Sequence, residues 1–133
     1  MSRDRTHRSF TAGALSVLLG LVTLTASSQP GGAHHTFVRK YDAKRIVKLS
    51  GAVSSVRWQN PHIFIDVDVK GSIWTVELEG IPKVQAKGLR REMLEEGAKV
   101  EISGWPDRSG TAELGLKTIK VKGKTISVRS TAR

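Results

Sequence analysis

From Ile46 to Val128 apolar side chains recur at every second position, and the runs are broken at short intervals by Gly, Pro, Asn and Asp. That period belongs to strands, not helices. Ile46 to Trp58 predicts one long strand whose apolar parity changes: Val47, Leu49 and Val53 lie on one face, Val56 and Trp58 on the other. A bulge or bend near Gly51 or Ser54-Ser55 accounts for the switch. Asn60-Pro61 interrupts the chain, since proline cannot donate to a ladder and Asn-Pro favours a turn. In the next run, His62 to Val69, residues Ile63, Ile65, Val67 and Val69 face one way and His62, Phe64, Asp66 and Asp68 the other. A tight connection at Lys70-Gly71-Ser72 leads into Ile73 to Leu78, which should close a hairpin. There Trp74, Val76 and Leu78 are expected in the core, and Thr75, Glu77 and Glu79 on the wet side.

Pro82 is read as the end of this strand region. Leu89, Met93 and Leu94 are spaced for a short helix or turn that stops at Gly97. Val100 and Ile102 continue as a strand to Gly104, and the turn-rich Trp105 to Thr111 stretch places Trp105 in a partly exposed loop. Leu114 to Val121 and Lys124 to Val128 form two last strands joined through Lys122-Gly123. Three strands, a short helical crossover and two or three more strands, with a long bent first strand, is the order of a small all-β, OB-like Greek-key barrel of five to six strands. An open sheet or a small sandwich is the alternative. About 100 residues suffice for one domain with one core.

The N-terminal third reads differently. Arg3, Arg5 and Arg8 precede an uncharged run from Phe10 to Ala26, then Pro30 and the small residues Gly31-Gly32-Ala33. This is the layout of a secretory signal peptide. The expected organisation is a signal over 1–33, an N-terminal arm over 34–45, the barrel over 46–128 and a tail over 129–133. The apolar run is shorter than the roughly 20 residues that span a bilayer, which argues against an uncleaved anchor. The mature chain is then periplasmic or secreted, without a transmembrane segment, and cleavage after Ala26 or Ser28 is the alternative to cleavage after Ala33. The absence of cysteine excludes a lipid-modified Cys, disulfides and thiolate metal sites. Without Arg3, Arg5, Arg8 and Asp4, the 22 basic and 12 acidic residues become 19 and 11, a net charge of +8 for the mature chain.

Several segments resemble a known family: Ala33-His34-His35-Thr36-Phe37, Tyr41-Asp42, Trp58-Gln59-Asn60-Pro61-His62, Gly97-Ala98-Lys99-Val100 and Ser103-Gly104-Trp105-Pro106. They are similar to the exported bacterial family classed as domain of unknown function 6152, whose members show an "AHHSF" start and an "NPH" turn. The resemblance covers roughly residues 33 to 128. Here Thr36 stands where serine is usual and Tyr41 where phenylalanine is frequent, and neither change touches a candidate ligand. The resemblance implies export but no established activity.

The candidate chemistry rests on three histidines. Cleavage after Ala33 makes His34 the N-terminus, so that an α-amine and two imidazoles stand within two residues, a good nitrogen site for Cu(II). His62 follows the Asn60-Pro61 turn, and an arm folded over that turn would gather His34, His35 and His62 into a copper or zinc site. The bland reading is a tolerated polar start and a hydrogen-bonding His62. Asp66, Asp68, Glu77 and Glu79 are read as surface solvation. No Gly-x-Ser-x-Gly elbow, P-loop or HExxH motif is present, so no enzyme is expected. The positive charge suits an anionic envelope component or a periplasmic partner protein, and in this alternative the protein is a cationic interaction module with structural histidines. An accessory subunit of a periplasmic redox system is a third reading. Nucleic acid is disfavoured by the exported location and by the lack of basic runs interleaved with aromatics.

Overall fold

The computed structural model describes residues 32–129, with side chains from Thr36 onward. The expected signal, save Gly32 and Ala33, and residues 130–133 of the expected tail lie outside the described residues. Strand β1 (Val47–Arg57) is the long first strand, and its register on β2 (Phe64–Val69) shifts between Val53 and Ser55. The bulge falls at Ser54-Ser55, so Val53 and Val56 can both turn inward. Gly51 is also constrained: a Cβ there would come within 2.2 Å of the Asp68 carbonyl oxygen. Strand β3 (Ser72–Glu77) returns antiparallel to β2 through Lys70-Gly71, both at positive φ (54° and 88°), as a two-residue hairpin turn requires.

Crossover helix α2 (Ile81–Ala86) lies earlier than the apolar spacing predicts. Pro82 opens this helix instead of only ending the strand, because a proline in the first turn lacks just the N–H that has no intrahelical acceptor. Leu94, one of the residues expected in the crossover helix, lies in a single 3-10 turn, Arg91–Leu94. Strand β4 (Lys99–Pro106) then pairs with β1, β5 (Glu113–Val121) pairs with β4, and β6 (Lys124–Ser127) makes a last hairpin on β5. Parallel pairing of Thr75 to Glu77 with Glu113 to Gly115 joins β3 to β5. The ring β1-β2-β3-β5-β4 is thereby closed, which selects the OB-like barrel over the open sheet and the sandwich.

The barrel interior is filled by alternate residues, among them Val53, Ile65, Val67, Val76, Leu114 and Ile119, with Val84, Leu89 and Leu94 closing one end. Trp74 and Trp58 are only partly buried against this core.

A second, smaller core lies outside the barrel. Helix α1 (Gly32–Lys40), in the segment read as an arm, packs Phe37 and the following Tyr41 on Trp105. The ring centroids of Phe37 and Tyr41 are 4.5 Å apart, and Phe37 meets Trp105 edge-on at 6.0 Å. Trp105 is therefore not an exposed loop residue: it belongs to β4 and is 3% exposed. Gly115 on β5 makes the close approach feasible, since a Cβ there would lie 2.3 Å from Phe37 Cζ. Backbone bonds from Asp42 N to the Pro106 carbonyl and from Arg108 N to the Lys40 carbonyl tie the end of α1 to the β4-β5 loop. Among the described residues no helix is long and apolar enough to cross a membrane.

Candidate functional site

Glu77, the last residue of β3, points away from the barrel interior, since its neighbours Val76 and Leu78 fill that interior. The parity rule therefore sends it to water, yet it is buried. The reason is tertiary: α1 and the chain after β6 cover this face of the β3-β5-β4 seam. Glu79 is likewise no solvating residue, with a side chain only 12% exposed and paired to Arg129. A buried carboxylate needs partners, and Glu77 has them on both oxygens. Tyr41 donates its phenolic O–H to Oε2 at 2.8 Å. His62 places Nδ1 2.7 Å from Oε1. Lys40 Nζ stands 3.7 Å from Oε2 and also pairs with Glu113.

The Asn-Pro-His turn sets the position of His62. Asn60 Oδ1 accepts the Ile81 N–H at 2.9 Å, which ties the turn to the start of α2. Gly80 is required there, because a Cβ would come within 2.7 Å of the Pro61 carbonyl oxygen. The Asn60-Pro61 peptide is cis. Beyond the turn, Leu78 N bonds the Ile63 carbonyl at 2.8 Å, so the residue before Ile63 stands beside the end of β3.

The contact to Glu77 defines the state of the imidazole. A carboxylate only accepts, so Nδ1 carries the proton, and in the neutral ring Nε2 holds the lone pair. Nε2 has no hydrogen-bond partner among the described residues, and the side chain is 23% exposed against 8% for Glu77. The ring is therefore oriented by a buried acid and retains one unengaged basic nitrogen.

Tyr41 is locked in its neutral form. Burial, then the adjacent Glu77 charge, push its ionisation far above the ordinary 10.0. Arg129 completes the outer layer: its guanidinium carbon sits 3.7 Å from the Phe37 ring centroid and its Nη2 is 2.9 Å from Glu79 Oε1. Burial pulls the Arg129 pKa down, opposed by Glu79 and Glu77, and its Nε is buried without a hydrogen-bond partner.

Of the three histidines singled out in the sequence, His62 lies in this network. His34 and His35 fall in α1, and their side chains lie outside the described residues. Sequence reasoning missed Glu77, Tyr41 and Arg129. The available signal was weak: Tyr41 is the single tyrosine of the chain. Asp66 is held by Ser55, Thr75 and Arg57, and Asp68 accepts the Gly71 N–H of the hairpin turn. Both therefore have structural partners.

Fold and site together define a small OB-like barrel with an external helix clamped to it through a buried carboxylate that also orients a histidine. The chain belongs to the family of unknown function DUF6152, whose model matches residues 21–117. No curated protein matches it. Among solved structures it is similar to apo TiaS, described as tRNAIle2 agmatidine synthetase, at 22% identity and a TM-score of 0.46 over 63% of this chain. The chain spans 19% of that protein's length.

Proposed function

We propose that the protein is an exported, non-enzymatic binding module that holds Cu(II) or Zn(II) at His62, with the His34-His35 segment completing the ligand set. The observation that carries this reading is the 2.7 Å contact between His62 Nδ1 and the buried Glu77 carboxylate. Metal-binding histidines commonly give their second ring N–H to a carboxylate, which fixes the tautomer and makes the ligating nitrogen more basic. Lys40 and Tyr41 reach the same carboxylate from the end of the helix that leads back to His34 and His35. With no cysteine in the chain, a nitrogen and oxygen donor set suits copper or zinc.

Export is supported by the basic start, the uncharged run and the small residues of positions 1–33. A cut after Ala33 adds the His34 α-amine to the donors and favours Cu(II).

The test is to express the full chain in a secreting host, determine the N-terminus of the exported product by intact mass, and titrate it calorimetrically with Cu(II) and with Zn(II). One tight equivalent is expected, abolished in His62→Ala and weakened about 10- to 100-fold in Glu77→Gln. A residue inserted before His34 should weaken Cu(II) more than Zn(II). Binding that is indifferent to His62→Ala overturns the reading and leaves the His62–Glu77–Tyr41 network as a clamp for α1.

A further inference from the structure

On the outer surface of the barrel, a concavity of about 590 Å³ is formed where the start of β4 lies between β1 and the end of β5. Its exposed side chains are Ser50, Lys99, Glu101, Lys120 and Lys122, and Val100 and Val121 border it with side chains buried in the core. It is separate from His62: none of its lining residues touches Glu77, Tyr41 or α1.

Three lysines against one carboxylate make the groove cationic. Lys120 pairs with Glu101 at 3.0 Å, with side chains 48% and 63% exposed, while Lys122 leans on the Glu92 carbonyl at 3.1 Å. Lys99 has no carboxylate partner among the described residues. Two ammonium groups thus stand outside any ion pair among the described residues, with the Glu101–Lys120 pair and the Ser50 hydroxyl beside them. The arrangement offers attraction to anions together with acceptors for hydroxyl groups.

We infer that this groove binds a linear acidic polysaccharide, a chain whose carboxylates meet Lys99 and Lys122 and whose hydroxyls meet Glu101 and Ser50. Three features favour that occupant over other anions. The surface is concave, which admits a polymer strand and not a flat lipid headgroup layer. Among the described residues no aromatic side chain lines it, so bases have no stacking platform. The Glu101 carboxylate disfavours a chain that offers it only anionic oxygens, such as polyphosphate, but accepts hydrogen bonds from the hydroxyls that a uronate unit carries beside its charge. Affinity is carried by exposed charges and declines with ionic strength.

The experiment uses the full exported protein and fluorescently labelled polygalacturonate fragments, with anisotropy read at low and at physiological salt. Lys99→Glu/Lys122→Glu is compared with Lys44→Glu/Arg45→Glu, an equal change of charge at exposed positions elsewhere, and with His62→Ala. The groove variant is expected to lose affinity about tenfold or more, and the other two variants to retain it. Circular dichroism verifies that all variants fold. Equal losses in the two charge-reversed proteins mean diffuse attraction and overturn the inference. Polyphosphate, or vesicles of phosphatidylglycerol, binding more tightly than polygalacturonate overturns it as well. Since His62 lies outside the groove, the two proposals stand or fall separately.

Discussion

Glu77 is the residue on which the outer face depends. Its carboxylate accepts from Tyr41 and His62, and its removal strands a phenol O–H and an imidazole N–H in a largely buried setting. Glu77→Ala is expected to cost about 3 kcal/mol in urea denaturation, and Glu77→Gln about half of that, because an amide oxygen still accepts one of the two donors. Tyr41 supplies an optical test, as it is the only tyrosine. Its ionisation in the folded protein is raised well above 10.0 by burial and by Glu77. Only the unfolded chain therefore releases this proton near pH 10. The tyrosine's contribution to stability is complete below that value and is lost as pH rises above it. Absorbance at the phenolate band should stay flat on alkaline titration until the protein unfolds. A reversible phenolate signal near pH 10 in the folded state would contradict the buried contact.

At the scale of elements, α1 is attached to the barrel by the Phe37–Tyr41–Trp105 cluster, by Glu77 and by two backbone bonds to the β4-β5 region. Such a peripheral unit is expected to open without the barrel. Gly115→Ala tests this, because the added methyl invades the space of the Phe37 and Tyr41 rings. The expected cost is about 2 kcal/mol, felt at α1. Hydrogen exchange should accelerate at the Asp42 and Arg108 amides, which bond across the joint, and stay slow at Leu78, which bonds within the barrel. The misplacement of Trp105 by sequence reasoning has the same origin. Trp105-Pro106 reads as a turn, but the pair extends β4, and Trp105 is covered by a helix that begins some seventy positions earlier.

For the whole molecule, closure between β3 and β5 makes the barrel one cooperative body. Leu114, buried at that seam beside Gly115, faces the barrel core. Leu114→Ala should lower global stability by about 3 kcal/mol, with coincident transitions in far-ultraviolet dichroism and tryptophan fluorescence. Neighbouring substitutions thus act differently: position 114 on the entire barrel, position 115 on the docked helix. If both changed only the global transition, α1 would be an integral part of the barrel's cooperative unit.

The strands, the bulge after Val53, the two Lys-Gly hairpins and the strand-strand-strand-crossover order were legible in the sequence, because period-two alternation and turn residues are local properties of a half-buried strand. The Asn-Pro-His turn was legible too, and with it the prominence of His62. The turn read at Met93-Leu94 is the 3-10 turn, but the helix before it, Ile81–Ala86, was missed because Pro82 marks a strand end and a helix start equally well. What only the tertiary structure decided is the outer face. Alternation assigns each strand residue to one of two sides but does not say whether the outward side meets water or another part of the chain. Glu77 and Trp105 point outward and are nonetheless buried, since α1 and Arg129, distant in sequence, close over them. The carboxylate that orients His62 is therefore specified by long-range packing, which no local pattern encodes.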